Sequence, residues 1–169
     1  MSIIQLVILM ILVSYIVLYT RPKTYTEILQ TNIEDIRPDI LLEKQPTLIF
    51  DKIVNIDDIL KTTFNYMFTF SKKQYILTNT MYQNNSKYVL FHNNSENDIE
   101  IDISKSRVKQ NHFNVFNTVL NEEPSDTNSI KIIMKPFNVL ILPYLFNFKS
   151  LSEDIDVRFL TDFFHIITI

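Results

Sequence analysis

The side chains best suited to moving protons or holding a metal are three histidines, His92, His112 and His165, and several groups of acids. His165 follows Asp162 by three residues, a spacing that puts both on one face of a helix. The pair reads as a surface pair sharing a hydrogen bond, with weak metal binding as the alternative. His92 ends a predicted strand at an Asn-rich turn, and His112 lies in a long polar region. Asp98, Glu100 and Asp102 alternate with isoleucines, so they project from one strand face. A solvated face is the preferred reading and Ca²⁺ coordination through oxygen the alternative; the same charges discourage edge-to-edge pairing. Glu122, Glu123 and Asp126 around Pro124 read as a solvated loop. The apolar run 139–148, with Tyr144, reads as core, with a pocket or partner groove as the alternative. No residue is assigned a catalytic, cofactor-binding or metal role, and no cofactor is expected.

Whole classes of chemistry fall away with two missing residue types. Cysteine is absent, which removes disulfides, thiolate metal sites and thiol nucleophiles. Glycine is absent too, so nucleophile elbows, phosphate loops and dinucleotide fingerprints have no match. The net charge of −3, with no basic stripe, gives no support to nucleic-acid binding. Without glycine, turns that need positive φ fall to Asn or Asp, and the pairs Asn84-Asn85 and Asn93-Asn94 are expected to supply them. The same pairs open two glycosylation sequons, Asn84-Asn85-Ser86 and Asn93-Asn94-Ser95. Alanine is missing as well, while Asn, Ile, Lys, Phe and Tyr abound. The bias follows AT-rich codons and points to a genome such as that of many large DNA viruses.

The elements that must position these residues are short. Residues 3–20 carry no charge, and as a helix they would rise roughly 27 Å, close to the hydrocarbon thickness of a bilayer. Gln5 lies near one end, and Tyr15 and Tyr19 near the other, where aromatic residues favour the interface. No basic n-region or small-residue cleavage site marks a removable signal. Arg21 and Lys23 on the C-terminal flank favour a body in the cytoplasm or virion interior; the sequons argue weakly for the opposite orientation. About 149 residues remain beyond the anchor, enough for one domain with its own core. Thr24 or Thr26 is placed to cap a short helix over residues 27–30, and chain around residues 39–45 reads as extended. Residues 47–50 read as a buried strand, and Asn55, Asp57 and Asp58 as a helix start running through Ile59, Leu60 and Phe64. Strands are predicted at 66–70, 75–78, 87–91, 98–103, 130–134, 139–142, 145–148 and 155–159. Residues 104–129 hold few strand signals, apart from His112 to Leu120, and read as a long loop or insertion. The spacing of Leu160, Phe163, Phe164 and Ile167 predicts a terminal amphipathic helix.

The stretch from Lys135 to Phe148 resembles cupin-like proteins of the JmjC type. These carry a Lys-Pro-Gly-Asp turn, an apolar strand, a Pro, two residues and an aromatic pair. Phe137-Asn138 stands in place of Gly-Asp, and Phe146 in place of the usual Trp. Ser86 to Phe91 resembles the strand on which the family sets a Lys before an aromatic-rich run, and Pro46 to Phe50 its opening strand. With an anchor and Arg-Pro ahead of it, the arrangement looks like membrane proteins of large DNA viruses, over residues 46–160. Active members bind Fe(II) through His-x-Asp/Glu and a distant His. That distant His would fall just after the aromatic pair, near Phe148, which cannot ligate metal, and no His-x-Asp or His-x-Glu occurs. The resemblance therefore implies a cupin without its metal.

The expected fold is mainly β, a small sandwich or cupin-like barrel with flanking short helices and one N-terminal transmembrane helix. The expected division is a transmembrane helix at 3–20, a juxtamembrane segment at 21–45 and one globular domain at 46–169. The expected function is that of a single-pass, non-catalytic structural or interaction protein of a viral membrane. The bilayer is one partner, through residues 3–20, and an unidentified protein the other. An envelope protein aiding entry, like the small infectivity factors of insect viruses, and an Fe(II)/2-oxoglutarate hydroxylase are the alternatives.

Overall fold

The computed structural model describes residues 2–20, 27–36, 44–62, 70–105, 114–120 and 129–168. His112, Glu122, Glu123, Asp126, the flank Arg21 and Lys23, Thr24 and Thr26, Phe64 and most of the strand expected at 66–70 lie outside them, as does most of the extended chain expected at 39–45. Helix α1, Ile3–Thr20, is the uncharged stretch and has 18 residues. Counting only residues whose side chains are described, no helix is long and apolar enough to cross a membrane. The α1 backbone is nonetheless helical over its whole uncharged length, with Ile3, Ile4, Leu6 and Met10 among its exposed apolar side chains.

The body is two packed sheets. The first joins β1 (Leu29–Thr31), β2 (Thr47–Ile49), β9 (Val139–Pro143), β5 (Tyr88–Asn93), β11 (Ile155–Thr161) and β3 (Phe70–Lys73), in that order. The second joins β7 (Asn117–Val119), β4 (Tyr82–Asn84), β10 (Phe146–Ser150), β6 (Ile99–Lys105) and β8 (Ile130–Met134). All pairings are antiparallel except β1 with β2. Setting aside β1, β2 and β7, the chain alternates between orders β3-β11-β5-β9 and β4-β10-β6-β8. This is the strand order of a jelly roll, two Greek keys wound into one sandwich.

Burial explains why the strands read so differently. The second sheet has one covered face, so β6 alternates: Ile99, Ile101 and Ile103 point inward while Glu100 and Asp102 point out. The first sheet is covered on both faces. Val89, Phe91, Leu140, Leu142, Val157 and Phe159 meet the second sheet. Tyr88, Leu90, Val139, Ile141 and Leu160 meet Ile56 and Ile59 of helix α2 (Ile56–Thr62), along with Ile36 and Ile53. Its strands β5 and β9 are accordingly buried at every position. Asn55 caps α2 as its sequence predicts, its Oδ1 accepting from the Asp57 N–H at 3.0 Å.

Several expectations are corrected. Residues 29–31 form β1, hydrogen-bonded beside β2, where a helix over 27–30 was expected. The strand expected at 75–78 is absent: Tyr75 and Leu77 are exposed in irregular chain, and the next strand is β4, at residues that read as a turn. β6 runs on to Lys105, into the loop expected at 104–129, while β7 at 117–119 lies in the part of it, His112 to Leu120, that carries strand signals. Positive φ falls on Lys44, Asn79, Phe137 and Leu145, and on neither expected Asn pair. Asn84 and Asn93 serve differently: each side-chain oxygen accepts from the N–H and Oγ of the serine two residues on, closing an Asx turn without leaving negative φ.

Candidate functional site

The register sorts the loops to two ends of the sandwich. At one end lie the β4–β5 connection, the β9–β10 turn and the terminal helix α3, Phe163–Thr168, which follows β11. There a buried polar cluster forms. Lys87 leaves the β4–β5 connection and its Nζ meets Asp162 Oδ2 at 2.6 Å, with the side chains only 6% and 13% exposed. The other Asp162 oxygen accepts from the His165 N–H at 2.7 Å, capping α3. The His165 Nε2 lies 2.9 Å from the Asn85 carbonyl, so that nitrogen carries the proton and donates. The Tyr144 ring meets the His165 ring edge-on at 4.8 Å. Burial pushes the Tyr144 hydroxyl up to about 12, which keeps it protonated. Asn84 donates to the carbonyls of Leu142 and Pro143.

This overturns the surface reading of His165 and Asp162. Both are buried, and the helix faces the reverse of what its sequence predicts: His165 points in while Phe163 and Ile167 are exposed. Leu160, expected on the same helix, belongs to β11. Chemically the cluster is a lock. A cation, an anion, an imidazole and backbone carbonyls satisfy one another and tie α3 to the end of the sandwich.

The other candidates separate. His92 is at the opposite end, buried, with Nε2 2.6 Å from the Ile53 carbonyl. Burial holds its imidazole below the usual histidine range, against the raising influence of that carbonyl and of Asp156. Glu100 pairs with Lys131 at 3.0 Å across β6 and β8, and Asp102 stands between Lys131 and Lys149 in register. That strand face carries its own counter-ions, as the solvated reading requires. Among the described residues no three His, Asp or Glu side chains gather as a metal site.

Phe148, near which the resemblance puts the distant His, is fully buried between the sheets. Its ring stacks on Tyr82 at 5.5 Å, meets Phe91 edge-on at 4.9 Å and tilts against Phe159 at 6.3 Å. Val139–Pro143 and Phe146–Phe148 are core, as their sequence predicts, while Tyr144 belongs to the polar cluster. Sequence reasoning missed Lys87 and Asn85 as partners of the terminal helix. The one signal for Lys87 was a lone cation ahead of an apolar strand. No protein family, no characterised protein and no solved structure matches the chain.

Proposed function

We propose that this chain is a single-pass membrane-anchored protein whose non-catalytic, cupin-like jelly-roll body serves a structural or interaction role, as a component of a viral envelope. The observation that carries the reading is the Tyr82–Phe148 stack. In a jelly-roll enzyme the space between the sheets holds ligands and substrate; here the buried rings of Tyr82, Phe91, Phe148 and Phe159 stand in contact there. Phe148 offers no donor to a metal. Helix α1 supports the anchor, because an uncharged 18-residue helix exposing Ile, Leu, Val and Met has no stable place in water. The AT-rich codon bias supports the viral source. The body lies inside, on the side of Arg21 and Lys23.

Two measurements test this reading. Alkaline carbonate extraction of membranes from expressing cells should leave the full-length chain in the pellet; release into the supernatant sinks the anchor. Metal analysis of the purified chain should find no stoichiometric iron, and 2-oxoglutarate should not be consumed. Iron bound one-to-one through histidine would restore the hydroxylase alternative.

A further inference from the structure

The α3 end of the sandwich carries a second apolar surface, separate from α1. Phe163 and Ile167 on α3 are 58% and 52% exposed, and Phe70 at the start of β3 is 43% exposed. The register sets Phe70 opposite Thr161, two residues before Phe163, so the three share one end. Helices α1 and α3 approach each other at this end. β1 runs parallel to β2, from the level of Ile141 toward that of Val139, so it points away from the α3 end.

Charge is divided between the two ends. The register puts Asp51, Glu96, Asp98, Glu153 and Asp154, against the cations Lys52 and Lys135, in or beside the loops of the far end, next to the β5 terminus at Asn93. At the α3 end Asp162 is buried against Lys87, and Lys105 stands at the rim opposite Phe146. Among the described residues Glu27 is the exposed acid on that side. An apolar end whose named charges cancel, facing an acidic one, suits a body that turns its acids away from an anionic bilayer surface.

We propose that the α3 end rests in the headgroup layer, with Phe70, Phe163 and Ile167 entering it and the acidic end held away from the membrane. The buried Lys87–Asp162–His165 lock then has a purpose: it fixes a six-residue helix, too short to be stable alone, at the lipid contact. The inference rests on α1 being the anchor.

The chain has no tryptophan, so each introduced Trp reports alone. Three full-length variants, Ile167→Trp, Leu77→Trp and Val13→Trp, are reconstituted into phosphatidylcholine–phosphatidylserine vesicles carrying acyl chains brominated at shallow or deep positions. All three replaced side chains are exposed, so the fold tolerates the change. Trp at 167 should emit to the blue of Trp at 77 and lose emission with shallow bromines, more than with deep ones. Trp at 77, at the far end, should keep its emission with both. Trp at 13 should be quenched by deep bromines. Quenching at 13 without quenching at 167 overturns the lipid contact and leaves the anchor standing. Absence of quenching at 13 overturns the anchor and the contact with it. Equal quenching at 77 and 167 overturns the assignment of ends.

Discussion

Lys87 and Asp162 stand 75 residues apart in the chain and 2.6 Å apart at their charged atoms, buried where β5 begins and α3 starts. Removing one partner leaves an uncompensated charge out of water, which costs about 3–5 kcal/mol. Asp162→Ala also removes the α3 cap, so it is the harsher of the two single changes. Lys87→Met combined with Asp162→Asn buries no charge and should recover most of the loss. Urea unfolding in detergent of the unaltered chain, Lys87→Met, Asp162→Asn and the double variant gives the coupling. A single-variant loss below about 1 kcal/mol would mean that the pair behaves as a surface pair.

His92 makes folding sensitive to acid. Its folded-state affinity for a proton lies below the ordinary value near 6.5, because burial disfavours the imidazolium. In the window below that value the unfolded chain takes up a proton that the folded chain refuses. The His92 contribution is therefore complete above about pH 6.5 and declines as the pH falls through it. His92→Gln keeps a donor for the Ile53 carbonyl and removes the titration. Its unfolding free energy should fall less steeply than that of the unaltered chain between about pH 7 and 5. Identical slopes would assign the sensitivity elsewhere.

What the sequence made legible follows from how many faces each strand buries. Isoleucine alternation at 99, 101 and 103 identifies a strand with one wet face, and the run from Val139 to Leu142 a strand with none. The three-residue strands β1 and β4 carry no such pattern. Leu29, Gln30 and Thr31 are extended because β2 pairs with them, and Tyr82, Gln83 and Asn84 because β10 and β7 do. The buried cluster was hidden for a related reason. Only closure of the sandwich brings Lys87 to Asp162 and Asn85 and Tyr144 to His165, and the local spacing of Phe163 and Ile167 argues for the opposite helix face. The burial of Phe148 was legible in the apolar run 139–148; the rings around it came from three further strands.

Phe137 occupies a backbone state that costs an L-residue free energy. Lys135 to Asn138 is a type II turn, closed by the Asn138 N–H donating to the Lys135 carbonyl at 3.1 Å, with Phe137 third at φ 64°. Leaving that region is worth about 1 kcal/mol, and the ring's contact with the Lys52 ammonium at 4.9 Å returns about half of it. Phe137→Asn should therefore raise stability by roughly 0.5 kcal/mol, since Asn tolerates the left-handed region. A lowered thermal midpoint would show that the ring's packing outweighs the turn.

The sequons at Asn84 and Asn93 are occupied by the fold itself. Both asparagines are 0% exposed. Asn84 Nδ2 donates to the Leu142 and Pro143 carbonyls at 3.3 and 3.0 Å, and Asn93 Nδ2 to those of Asn97 and Met134 at 2.8 and 3.0 Å. A glycan on either nitrogen would break these bonds and force a sugar between strands. When the full-length chain is expressed through a secretory membrane, the folded fraction should show no mass change on amidase deglycosylation. Asn93→Asp, the residue that such an enzyme leaves behind, sets a carboxylate against two carbonyls and should cost about 2–3 kcal/mol. Finding a glycan at Asn84 or Asn93 on a folded chain, or full stability in Asn93→Asp, would show that these side chains are not the interior ties that the register makes them.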